Sequence, residues 1–282
     1  MIVVKKGNQK METDKYTVGT LLGETDQFRI YQCQLPDGGV GILKIAVSPA
    51  QNGILDREAF ILQTLREEAE RCEEEYRKQN PDKVLNYAVQ FPNLVDSFVS
   101  PDQGDRRINI MNFVNVSDDL GRLVPIEHVI TRDRVRVDPR TSAWVMGKIL
   151  KLLSFAHGQG ISVGWITAEN ILLERDQHYV AFFDWSQAIL HAGNEVPAEV
   201  ACGEISQAAK AVISLLGVNP DTGELSLDDQ LEDDRYAQHL FALAQGKEND
   251  SWRAHEDFYK LIRNTLGWRG YHPFTTYSLE RT

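Results

Sequence analysis

The 282 residues carry 41 acidic against 30 basic side chains, a formal net charge of −11, and are 42% hydrophobic and 25% charged. That balance suits a folded chain of one or two lobes, and its sign disfavours nonspecific binding to nucleic acid or to an anionic membrane. Three scattered cysteines, Cys33, Cys72 and Cys202, make neither a disulfide framework nor a zinc site, which fits a reducing cytoplasm. The opening MIVVKKGNQKMETDK lacks the apolar run of a signal peptide, and no stretch reaches bilayer-spanning length. A cytoplasmic location is expected, with no nucleic-acid or membrane partner.

After that polar leader, YTVGTLLG (16–23) and FRIYQCQL (28–35) read as strands, rich in β-branched and aromatic residues. A Pro36-Asp37-Gly38-Gly39 turn returns the chain as a third strand, VGILKIAV (40–47), with Lys44 set among apolar neighbours. A lysine buried there needs a partner. The stretch 54–79 is a long helical pattern. Its first half is amphipathic through Leu55, Phe60 and Leu62 or Leu65, and its charged second half reads as a solvated face. FPNLVDSFVS (91–100) and RINIMNFVNV (107–116) complete five strands. Beyond them the periodicity turns helical at 141–160, 203–217, 235–245 and 251–266, with a polar, acidic connection at 219–234. The expected fold is α+β with two lobes: a five-stranded antiparallel sheet with one long helix over 1–115, and a mainly helical lobe over 116–282.

The stretch ISVGWITAENILLERDQHYVAFFDWSQA (161–188) carries the chemistry: Trp165, then Asn170 five positions on, then Asp184 fourteen further, each of the last two beside an apolar run. Together with Lys44 and with Glu58 in DREAFILQTL, this order of features resembles the protein-kinase fold over about residues 16–217. The resemblance implies that Gly23 opens the phosphate loop and that Lys44, paired with Glu58, holds nucleotide phosphates. IMNFV (110–114), with Met111 and Phe113, stands where the adenine-holding hinge strand would be. Asn170 and Asp184 stand where Mg²⁺ ligands would be, so the implied cofactors are ATP and Mg²⁺.

The departures from that pattern matter as much. The residue five before the loop asparagine is a catalytic aspartate in kinases, the base that takes the substrate hydroxyl proton. Here it is Trp165, whose indole has one N–H donor and no acceptor. Val163-Gly164 replaces the His-Arg pair before it. Of the phosphate-loop glycines only Gly23 remains in Gly23-Glu24-Thr25-Asp26-Gln27-Phe28, and Glu24 and Asp26 add charge of the wrong sign. Asp184-Trp185-Ser186 replaces Asp-Phe-Gly. Only about twenty residues part Asp184 from the helix at 203, too few for a peptide platform, and Pro197-Ala198-Glu199 is a scrambled relic of Ala-Pro-Glu.

Nucleotide binding is therefore expected to be weak or absent, and three readings stand. The first is a pseudokinase, a scaffold or regulatory module that binds a protein partner. The second is an active atypical kinase or nucleotidyl transferase, since general-base help is modest beside electrostatic positioning. The third is a small-molecule kinase of the aminoglycoside or choline type, which Trp165 disfavours equally. Asp221-Thr222-Gly223 spells an aspartic-protease triplet, but with no second copy it reads as a turn. The seven histidines show no metal-ligand spacing. The extension at 66–79 and the acidic stretch at 221–234 lie outside the kinase-like pattern and read as solvated decoration or partner surfaces.

Overall fold

The computed structural model describes residues 2–5, 15–116, 118–222, 235–267 and 271–279. The acidic stretch from 223 to 234 lies outside the described residues. The chain divides into two compact units, Met1–Arg122 with Trp185–Ala188, and Leu123–Asp184 with Ile189–Thr282.

The first unit is an antiparallel sheet with one long helix. Strands β1 (Ile2–Lys5), β2 (Lys15–Glu24), β3 (Phe28–Gln34), β4 (Val40–Ala46), β5 (Asn93–Ser100) and β6 (Arg106–Asn112) pair in the order β1-β2-β3-β4-β6-β5. The five strands read from sequence are present, and β1 makes a sixth at the edge, within what reads as a polar leader. Strand β4 is buried along almost its whole length, which explains its near-continuous apolar run. Leu43 and Ile45 join Tyr16, Cys33, Phe98 and Ile110 in one core, while Ala46 meets Phe28 and Leu55 in another. Side chains alternate along a strand, so Lys44 shares the face of Ala46. Burial pushes the Cys33 thiol up to about 12, which leaves it an inert core group. Gly41 is fixed by space, because a Cβ there would meet the Met111 carbonyl oxygen at 2.9 Å.

Helix α1 (Asn52–Gln79) buries Leu55, Glu58, Leu62, Leu65 and Ala69 along one stripe. Phe60, expected on that stripe, is instead 56% exposed. Five residues on from Leu55, it sits about 140° away around the axis, whereas Leu62 sits about 20° away. The charged second half carries exposed pairs such as Lys78–Glu74 at 2.8 Å. It is not solvated on every side, since Glu73 Oε1 accepts the N–H groups of Tyr87 at 2.6 Å and Ala88 at 3.0 Å.

The second unit is mainly helical. It begins with β7 (Leu123–Pro125), α2 (Ile126–Thr131) and β8 (Val135–Val137), and continues through α3 (Pro139–Gly158), β9 (Ile161–Ser162), β10 (Ile171–Glu174) and β11 (Tyr179–Phe182). Then come β12 (Ile189–Leu190), α4 (Ala198–Leu215), α5 (Arg235–Ala244), α6 (Ser251–Thr265) and β13 (Thr276–Ser278). The strands form small antiparallel sheets, β11-β10-β7, β12-β9 and β13-β8. Asp138 caps α3 by accepting the Thr141 N–H at 2.8 Å, ahead of Pro139 at the first turn. Asp250 caps α6 through the N–H groups of Trp252 and Arg253. No helix among the described residues is long and apolar enough to cross a membrane.

Candidate functional site

In the first unit, strand pairing and α1 bring Lys44 and Glu58 together. Lys44 Nζ donates to Glu58 Oε1 at 2.7 Å, and both side chains are 0% exposed. The rest of the Glu58 carboxylate is engaged as well. Oε1 accepts the Trp185 N–H at 3.3 Å, and Oε2 accepts Asn109 Nδ2 at 3.1 Å. Asn109 is the cross-strand register partner of Lys44, and its Nδ2 also donates to the Leu55 carbonyl at 2.9 Å. The Lys44 ammonium lies 3.9 Å from the centroid of the Phe28 ring. Phe28 pairs with Ala46 and Ile30 with Lys44, so Phe28 sits diagonally across the ladder from the lysine. A cation over an aromatic face is attracted to it, and here that face occupies one side of the ammonium.

The phosphate-loop positions form a closed turn between β2 and β3. Thr25 N–H donates to the Phe28 carbonyl at 2.9 Å, and Thr25 Oγ1 accepts the N–H groups of Gln27 at 3.2 Å and Phe28 at 3.1 Å. A phosphate loop would offer such amides to its ligand. Gly23 lies in the ladder opposite Ile30, and a Cβ there would make only ordinary contact, at 3.7 Å. Glu24 pairs across the turn with Arg29 at 2.8 Å. Met111 and Phe113 are both buried. The Trp185–Ala188 segment of this unit is anchored too: Trp185 is 0% exposed and meets Phe91 edge to face, and Arg57 Nη2 donates to the Ser186 carbonyl at 2.6 Å.

In the second unit, Asn170 and Asp184 come together through the main chain. Asn170 Oδ1 accepts the Asp184 N–H at 2.6 Å, while Nδ2 donates to the carbonyls of Asp184 at 3.0 Å and Trp165 at 2.8 Å. The Asn170 amide thus ties the loop before β10 to the end of β11. Beyond that main-chain bond, Asn170 Oδ1 keeps a second lone pair. Trp165 projects from this loop 58% exposed, between the buried Val163 and Ile166. Helix α4 holds the loop in place: Glu204 Oε1 accepts the Gly164 N–H at 2.6 Å, and Gln207 Oε1 accepts the Ile166 N–H at 3.1 Å. The other Glu204 oxygen lies 2.7 Å from His157 Nε2, and both side chains are buried. Gly164 itself has φ +87°, a backbone state that suits glycine.

Sequence reasoning missed Asn109, Glu204, Gln207 and Phe28. Asn109 left one signal, an amide flanked by Ile108 and Ile110 in RINIMNFV, which a buried strand must satisfy with partners. Glu204 left a similar one, a carboxylate beside Ile205 on the apolar side of its helix. No family model matches the chain, and no curated protein matches it. Among solved structures it is similar to the crystal structure of the BubR1 kinase domain, with a TM-score of 0.57 at 11% identity. That match covers 91% of this chain and 82% of the other. The chain therefore has a protein kinase-like fold, its sheet and long helix in one unit and its helices in the other.

Proposed function

We propose that this chain is a pseudokinase, a kinase-fold protein that neither holds ATP nor transfers phosphate and that serves as a protein-binding module. The observation that carries the reading is the sealing of Lys44, 0% exposed, between Glu58 and the Phe28 ring. An ammonium so enclosed has no surface to give a phosphate, and its charge faces a carboxylate that also accepts from Asn109 and the Trp185 N–H. Three further features support it. The amides of Gln27 and Phe28 are taken by Thr25. Asn170 Oδ1, the atom a metal would use, already accepts the Asp184 N–H and keeps one lone pair. The residue at the base position, Trp165, has no acceptor with which to take a proton.

The same Trp165 supports the binding role. A large indole left 58% exposed on a loop braced by α4 is the kind of anchor that dominates protein interfaces. The net charge of −11 argues for a protein partner rather than a polyanion. Incubation with γ-labelled and α-labelled ATP in the presence of Mg²⁺, with and without generic protein acceptors, tests the loss of chemistry. Neither label should enter the chain or an acceptor. Stoichiometric incorporation of the γ label would instead make this an active kinase, and of the α label a nucleotidyl transferase.

A further inference from the structure

A cavity of about 400 Å³ opens within the second unit, among α3, α6, the turn between β10 and β11, and the segment leading to β13. None of its lining residues belongs to the kinase-like positions above. The volume suits a small organic ligand. One wall is a stack of rings, with the His178 imidazole sandwiched between Trp144, at 5.0 Å and 7° between planes, and Tyr271, at 4.7 Å and 12°. His178 takes φ +56° in its turn, a left-handed state that costs a non-glycine residue free energy. Ile262 and Leu266 add apolar lining.

Charge sets the cavity apart from the rest of the molecule. Two cations, Arg140 and Lys148, line it beside the imidazoles of His178 and His272, and no carboxylate does among the described residues, in a chain of net charge −11. Asp138, the partner of His272 at 2.8 Å, gives its other oxygen to the α3 cap. Arg140 has no ion pair among the described residues. Two polar atoms of the stacked wall, Trp144 Nε1 and His178 Nε2, are buried with no hydrogen-bond partner among the described residues. Such atoms are costly to leave unmatched, and a ligand acceptor would relieve the indole N–H.

We infer that this cavity binds a small organic anion, with a flat aromatic body against the stacked rings and a carboxylate or phosphate held by Arg140 and Lys148. Calorimetric titration of the full chain with naphthalene-2-carboxylate, 2-naphthyl phosphate and the neutral naphthalene-2-methanol tests it. At least one anion should bind with 1:1 stoichiometry and about tenfold or more tighter than the alcohol, the scale of one charge-assisted hydrogen bond. The tighter of the two anions identifies the head group. Arg140→Gln, at an exposed position, should bring the anion to the affinity of the alcohol and leave the alcohol unchanged. Trp144→Phe keeps a ring, removes the N–H and should weaken the anion severalfold. Absence of saturable binding by both anions, equal affinity for anion and alcohol, or an Arg140→Gln variant that binds as before would each overturn the inference.

Discussion

An ammonium sealed from water can be removed only by stranding the carboxylate it faces. Lys44→Ala leaves Glu58 at a fully buried position with Asn109 as its side-chain donor, and should lower the unfolding free energy by about 3–5 kcal/mol. The urea midpoint reads this directly, at unchanged slope. A lysine kept for phosphate would lose ligand affinity and little stability. The tryptophans offer a second contrast. Trp165→Ala, at a side chain 58% exposed, should shift stability by no more than about 0.5 kcal/mol, whereas Trp185→Ala, fully buried, should cost about 3–5 kcal/mol. Equal effects in thermal melts would contradict the placement of the two rings. At this scale the sequence spoke clearly about Trp165, because the lack of an acceptor is a property of the indole alone. It was silent on Phe28, whose place over Lys44 follows from the register of two strands and not from any spacing along one.

Long elements were legible where local pattern and tertiary burial agree. The helices at 141–160 and 251–266 were expected nearly to the residue, and α3 and α6 span Pro139–Gly158 and Ser251–Thr265, each started by an aspartate cap. Strand β1 escaped because four residues carry too little alternation, and its existence rests on pairing with β2. Phe60 was misplaced because its spacing from Leu55 carries it off the buried stripe of α1. The bracing of the Trp165 loop by α4 was invisible for a related reason: Glu204 lies 40 residues from Gly164 in the chain. Glu204→Ala removes the acceptor for the Gly164 N–H and the partner of His157, and should cost about 1.5–3 kcal/mol. Hydrogen exchange at Gly164 should quicken with it, while exchange in β4 stays unchanged. An unaltered Gly164 rate would mean that the loop holds itself.

Over the whole molecule, two histidines make folding sensitive to mild acid. Burial, aided by the charges of Lys148 and His272 and opposed by Glu174 and Asp176, holds His178 below its ordinary 6.5. Burial does the same to His239 against the opposing pull of Asp257 and Glu248. The folded state then binds fewer protons than the unfolded chain, so stability is present above about pH 6.5 and is lost as the pH falls below it. The urea midpoint should drop between pH 7.5 and pH 5.5, and less so in a His178→Asn, His239→Gln variant. An equal drop in that variant would assign the sensitivity to other groups. We propose a kinase-like frame in which Lys44, at the position expected to meet nucleotide, has become part of the core. Isothermal titration of ATP into the full chain in Mg²⁺ tests that most directly: no saturable heat should appear up to millimolar nucleotide, and a Mg²⁺-dependent saturable heat that Lys44→Met abolishes would contradict it.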